Sequence, residues 1–341
     1  MILRRATRAS CLASLLCALA GCGAAAPAAP TNQEPLAPDS GAPSGKTFPG
    51  AAEAPKYEGQ AFASMQIFDA ERSVYLDEAA LVEALGETKL TFFGELHETA
   101  PVQELELWVL QRLSAKFPDL SLAMEHFQRD EQPILDDYVA GNITTQDFEA
   151  KSQPWAKYAT FWKPLVEHMK SKGRPVVGLN VPGEALKIIY SAYPKTPLQV
   201  FNGFNASFKY DASIAPRPIQ AGSAVYNSYF EANFDPGAHS GMGMSKAESL
   251  AYFTELAVIR DETMGYFVAD ELKKGGRVMT VAGDFHVQTG LATPDRAARY
   301  AGDGTGYRLV STTTPAKLEQ VRKAVVGDRK LSRFWLVFEA R

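Results

Sequence analysis

The sequence predicts an α/β fold, a mostly parallel sheet flanked by helices, with an aromatic-rich, mainly helical insertion. Three observations predict it: short runs apolar on both faces recur along the chain, helical stretches separate them, and one long segment is rich in aromatic residues but broken by Pro and Gly. Lys89–Phe93 is the first strand-like run. A helix follows from about Pro101 to Lys116, with Leu105, Trp108, Val109 and Leu113 on one face and Thr99 and Pro101 suited to its first turn. Leu120–Met124 is the second strand, and Pro133–Val139 begins a helical region that continues, interrupted, to Lys172. Pro175–Leu179 is the third strand. Ser245 to Lys274 reads as one long helix stopped by Gly275-Gly276, followed by a fourth strand at Arg277–Ala282 and later ones at Arg308–Val310 and Phe334–Phe338. The insertion, about 190–244, holds ten aromatic residues between Tyr190 and Phe234. Its ordinary role is the core of a small helical cap; its sharper one is a flat apolar wall for a planar ligand or a partner subunit.

What precedes the strands reads as an export leader. Arg4, Arg5 and Arg8 form a positive region, and Cys11–Leu19 is an apolar stretch too short to span a bilayer. Leu19-Ala20-Gly21-Cys22 resembles the lipobox of bacterial lipoproteins, which implies a signal peptide over 1–21, a lipid anchor on Cys22 and, with Gly23 rather than Asp next, an outer-membrane destination. Residues 22–60 are rich in Ala, Pro and Gly, with few large apolar groups, and read as a disordered tether. Residues 61–341 then form one α/β domain.

Composition narrows the function. The formal charge is −4, from 35 Lys+Arg against 39 Asp+Glu, and no basic tract follows the leader, so no nucleic-acid partner is expected. The three cysteines, Cys11, Cys17 and Cys22, all lie in or beside the leader, which excludes a disulfide framework, a thiolate metal site or a Cys nucleophile in the domain. The H-E-x-x-H, G-x-S-x-G, Walker A and post-strand G-x-G-x-x-G motifs are missing as well.

The polar residues fall where a parallel sheet builds its crevice, at the carboxyl ends of strands. Strand one exits through Glu95 and His97, strand two through Glu125-His126, strand three through Asn180, strand four through Asp284 and His286. Glu104, two helical turns after His97, is expected to point back over this rim. In the long helix, Arg260 and Asp261 sit between apolar residues and are expected, with Asp284, to orient the rim groups from behind. His168 reads as a surface or packing residue.

Phe92-Phe93-Gly94-Glu95-Leu96-His97, Ala123-Met124-Glu125, Arg260-Asp261-Glu262-Thr263-Met264 and Ala282-Gly283-Asp284-Phe285-His286 together resemble the ChaN-like haem-binding lipoproteins, over about Ile67 to Thr293. That family shares its fold with the TIKI-type proteases and erythromycin esterases, so the resemblance implies two functions. The first is haem binding between two subunits, with an axial Tyr and a His from the other protomer, in iron acquisition. Without Cys the axial ligands must be Tyr, His or Met. Tyr226 and Tyr229 are the candidates, with His239 as partner. The second is hydrolysis at the rim, by Glu95, His97, Glu125 and His286. There His97, Glu104, Glu125 and His286 hold a divalent metal such as Mn or Zn and Glu95 acts as general base, or His97 activates water without a metal.

Overall fold

Each apolar run forms a strand, and most strands extend past the run. The computed structural model describes residues 53–152, 154–235 and 243–341; the expected signal peptide, Cys22, most of the tether and His239 lie outside the described residues. Strands β1 (Phe62–Asp69) and β2 (Val74–Leu76) come first, followed by helix α1 (Glu78–Gly86), whose first turn is capped by Asp77 accepting the Ala80 N–H at 2.7 Å. β3 (Leu90–Glu95) leads through α2 (Ala100–Lys116) to β4 (Leu120–Gln128), which runs four residues beyond the apolar segment. The interrupted helical region is α3 (Gln132–Val139), α4 (Thr145–Lys151), α5 (Tyr158–Phe161) and α6 (Lys163–Ser171). After β5 (Val176–Asn180) come the cap helices α7 (Gly183–Ser191), α8 (Pro197–Asn202) and α9 (Ala224–Asn233). The long helix α10 (Lys246–Lys273) opens with a capping box between Ser245 and Glu248. β6 (Arg277–Gly283) is followed by the single turn α11 (Asp284–Val287), α12 (Thr293–Ala301), β7 (Tyr307–Thr313), α13 (Pro315–Lys323), a short β8–β9 hairpin (Val325–Val326, Arg329–Lys330) and β10 (Phe334–Ala340).

Eight strands form one sheet in the order β2-β1-β10-β7-β3-β6-β4-β5; β10 to β5 are parallel, and β1 is antiparallel to both its neighbours at one edge. The antiparallel edge is not visible in the periodicity of the sequence, because Met65, Ile67 and Phe68 are buried on both faces like the parallel strands.

Alternation along the strands sends side chains to two cores. Phe93, Leu122, Met124, Met279 and Val281 pack with residues of α2 to α6, whereas Phe92, Ala123, Val177, Leu179 and Val278 pack against Met264, Phe267 and Val268 of α10. The cap has a core of its own against α10, in which Leu186, Ile189, Phe201, Ile214, Tyr226 and Phe230 meet Phe253 and Leu256. Five of the ten cap aromatics are therefore buried and four half-buried, and the expected open apolar wall is reduced to Ile188, Tyr193 and Val225, each about two-fifths exposed.

The chain leaves β3 toward β4, passing over β6, and leaves β6 toward β7, passing over β3. The connections thus diverge at the β3/β6 pair, which is where an open α/β sheet has its crevice.

Candidate functional site at the β3/β6 strand ends

Two polar clusters, one on each face of the sheet, meet at this rim. Glu95 ends β3 on the α2 side, fully buried. Its Oε1 is hydrogen-bonded to His97 Nδ1 and lies 2.5 Å from His126 Nε2; its Oε2 accepts from Gln103 Nε2 at 3.1 Å and Trp162 Nε1 at 3.0 Å. Such a carboxylate is held in one position by four donors. Burial opposes its charge, but His126 and His97 outweigh burial and hold it well below the usual carboxylate range. Burial likewise opposes charge on His97, yet Glu95 lifts its imidazole to about 9. Trp162 stacks on His126 at 4.4 Å between ring centres, and Trp155 meets His97 and His126 edge-on at 5.2 and 4.8 Å, which fixes both rings.

Glu125, one residue before His126, points to the opposite face because successive strand side chains alternate. Its Oε2 accepts the Gly283 N–H at 2.9 Å, and its Oε1 is 3.9 Å from His286 Nε2 and from Arg260 Nη1. His286 Nδ1 bonds Asp261 Oδ1 at 2.8 Å, and Asp261 is held in turn by Thr293 Oγ1 at 2.7 Å and Tyr226 OH at 2.6 Å. Burial disfavours charge throughout this group, but Asp261 and Glu125 raise the His286 imidazole, and His286 keeps both carboxyls below their usual range. The Asp261–His286 pair leaves Nε2 facing the rim, an orientation suited to proton transfer.

His97 joins the clusters. A Cβ at Gly283 would lie 2.9 Å from His97 Nε2, so that position admits only glycine without displacing the ring. Glu95, His97, Arg260, Gly283, Asp284 and His286 line one cavity of about 50 Å³, so groups nearly 190 residues apart in sequence share it. Asp284 accepts from Ser311 Oγ at 2.5 Å, and burial lifts its carboxyl to about 7 against that bond.

Three expectations are corrected. Glu104 does not join the rim: its two oxygens accept the Gln60 and Ala61 N–H groups, each at 2.6 Å. The residue of α2 that reaches Glu95 is Gln103, one position and about 100° around the helix from Glu104. Tyr226 and Tyr229 are buried rather than open to a ligand; Tyr226 serves Asp261, while Tyr229 stacks on Phe285 with ring centres 5.1 Å apart and accepts from Gln288. His168 is half-buried and bonds Ser114 at 2.8 Å, the packing role expected of it. The metal set of His97, Glu104, Glu125 and His286 is not assembled; among the described residues it is Glu95, His97 and His126 whose ligand atoms lie within 4.8 Å of one another. His126, at the rim in the sequence but outside the expected catalytic and metal sets, lies within β4, which continues to Gln128. The adjacent pair Glu125-His126 was the available signal: inside a strand, two neighbouring polar residues serve both faces.

A family model described as haem-binding uptake, Tiki superfamily, ChaN matches residues 81–297, more than half of the chain and all of the rim groups named above. Among solved structures, ChaN of Campylobacter jejuni, described as showing cofacial haem binding, is similar at 15% identity and a TM-score of 0.59, over 84% of this chain and 100% of that one. A Bacillus cereus protein is similar at 15% identity and a TM-score of 0.40, over 69% of this chain and 68% of that one. An erythromycin esterase is similar at 12% identity and a TM-score of 0.41, over 79% and 80%. No curated protein matches the sequence.

Proposed function

We infer the function from one premise: the chain belongs to the ChaN family of haem-binding uptake proteins, in the Tiki superfamily. The reading that follows is haem binding in iron or haem acquisition, by a protein exported and lipid-anchored through Cys22, in the outer membrane, with a second copy closing over the ligand. The family match over residues 81–297 carries the haem assignment. The lipobox-like Leu19-Ala20-Gly21-Cys22 supports the anchor, and the cofacial haem described for the Campylobacter jejuni protein supports the paired arrangement.

The chain's own donors decide how haem would be held. With cysteine confined to the leader region, iron must take Tyr, His or Met. Tyr226 does not fit as a phenolate ligand, because burial and the adjacent Asp261 push its hydroxyl well above the usual phenol range. Tyr229 is equally enclosed. Tyr193, at the end of α7 beside the exposed Ile188, is the exposed tyrosine of the described cap and fits better. Bound haem would supply the redox-active iron; the cap would supply an apolar seat and a phenol.

Haemin titration tests this. Wild-type protein should give a saturable Soret shift that Tyr193→Phe weakens at least about tenfold and Tyr226→Phe leaves intact. Binding no tighter than that of an unrelated acidic protein would remove the haem reading. Loss in Tyr226→Phe or Tyr229→Phe alone would mean that the cap opens. Light scattering with haemin checks the paired copy, and mass spectrometry of the mature N-terminus checks the lipid on Cys22.

A second reading, hydrolysis at the rim, is favoured by one observation, the clustering of Glu95, His97 and His126. Two imidazoles and a carboxylate are a donor set found in catalytic zinc sites, and a Mn or Zn ion held there would lower the pKa of a bound water. Asp261-backed His286 stands ready to accept or return a proton. Cleavage of an ester or peptide that is lost in His126→Ala and in His286→Ala would establish this reading.

A further inference from the structure

A second cavity at the rim is larger, about 400 Å³, and lies beside the ends of β4 and β5 and the start of α7. Arg260 lines it and also lines the small cavity that holds His97 and His286. This arginine comes from the middle of α10 and its side chain is 8% exposed. Its Nε has no hydrogen-bond partner, and the Glu125 oxygen near Nη1 is 3.9 Å away, beyond hydrogen-bond reach. A buried guanidinium with unused donors is costly to the fold, and its planar fork matches a carboxylate. The mouth has the opposite character. Glu98, Asp130, Glu131 and Glu184 line it; Glu98 is paired with Lys157 and Glu184 with Lys187, whereas Asp130 and Glu131 form no ion pair among the described residues and burial raises both carboxyls, Glu131 to about 8. Trp155 forms part of the wall.

We propose that this cavity binds a small molecule bearing both an ammonium and a carboxylate, of the amino-acid or short-peptide class, with the carboxylate on Arg260 and the ammonium at Asp130 and Glu131, the lining carboxyls without a cation partner. The volume is within the range of small-ligand sites. The site is separate from the haem reading and stands or falls without it.

The probe is alanylalanine, titrated calorimetrically into the full chain beside its C-terminal amide and its N-acetyl form. Wild-type protein should bind the free dipeptide saturably, and each blocked form at least about tenfold more weakly, since each lacks one charged hydrogen-bonding group. Arg260→Met should abolish the preference over the amide while melting at or above the wild-type temperature, because it removes an unsatisfied buried charge. Lack of saturable dipeptide binding overturns the proposal. Equal binding of the amide overturns the Arg260 contact, and equal binding of the acetyl form overturns the ammonium contact. A clear drop in melting temperature for Arg260→Met would show Arg260 to be a structural partner of Glu125, and would overturn it too.

Discussion

At the scale of single residues, the rim is governed by which buried charges find partners. Glu95 is ionised because two imidazoles and two neutral donors surround it, whereas Asp284 has only the Ser311 hydroxyl and is lifted to about 7. A carboxyl with a raised folded pKa favours the folded state while both states are protonated. Its contribution is full below the unfolded value of 3.8 and is lost as pH rises to about 7, where it levels off. Asp284→Asn should therefore flatten the melting temperature between about pH 4 and 7, and wild-type protein should lose stability across that window relative to it. A parallel pair of profiles would refute the assignment. His97 has the same sign in a higher window: its stabilisation is full below 6.5 and fades as pH rises through about 9, so His97→Gln should melt closer to wild type at pH 9 than at pH 6. Residue types at the rim were legible from sequence, since Glu95, His97, Glu125 and His286 all follow or end apolar runs. Their partners were not. Whether Gln103 or Glu104 faces Glu95 depends on the helix phase of α2, and a stretch apolar on most sides does not define that phase.

At the scale of elements, α10 unites the molecule. Its residues pack on the sheet, on the cap and on α12, and Arg260, Asp261 and Glu262 all sit on it buried. Glu262 is paired with Arg296 at 3.0 Å and with Arg299, both on α12. Gly265 allows that approach: a Cβ there would lie 2.6 Å from Arg296 Cβ and 2.8 Å from the Ala297 nitrogen. Gly265→Ala should cost about 1–3 kcal/mol in denaturant melts, despite alanine's better helix propensity. A stabilised variant would mean that α12 gives way. The helix itself was readable end to end, because Ser245 and Gly275-Gly276 punctuate it. The cap was less so. Ten aromatic residues announced a hydrophobic cluster, but composition cannot tell a wall that faces outward from a core that faces α10.

At the scale of the whole molecule, the parallel order explains why distant motifs converge, and the antiparallel edge explains how the sheet is finished. β1 covers β10, whose Phe334, Trp335 and Leu336 are buried. Deleting residues 59–76 should expose that strand and drive self-association, seen as a shift to larger species in size-exclusion chromatography; a monomeric product would mean the edge is otherwise protected. The strands that carry chemistry were legible because burial on both faces leaves continuous apolar runs. β2, with three residues, and the β8–β9 hairpin are too short to leave such a signature. No helix among the described residues is long and apolar enough to cross a membrane.

The pairing of Phe62 with Ala340 has a geometric outcome for access. Since β10 runs parallel to β3, its last residues, and with them the first of β1, stand on the same side as the crevice, where Glu104 grips Gln60 and Ala61. Before Gln60, however, the chain runs back along β1, with Tyr57 paired to Met65 and the Ala54 carbonyl accepting from Gln66, so a leash would pull from the flank of the sheet, set back from the doorway.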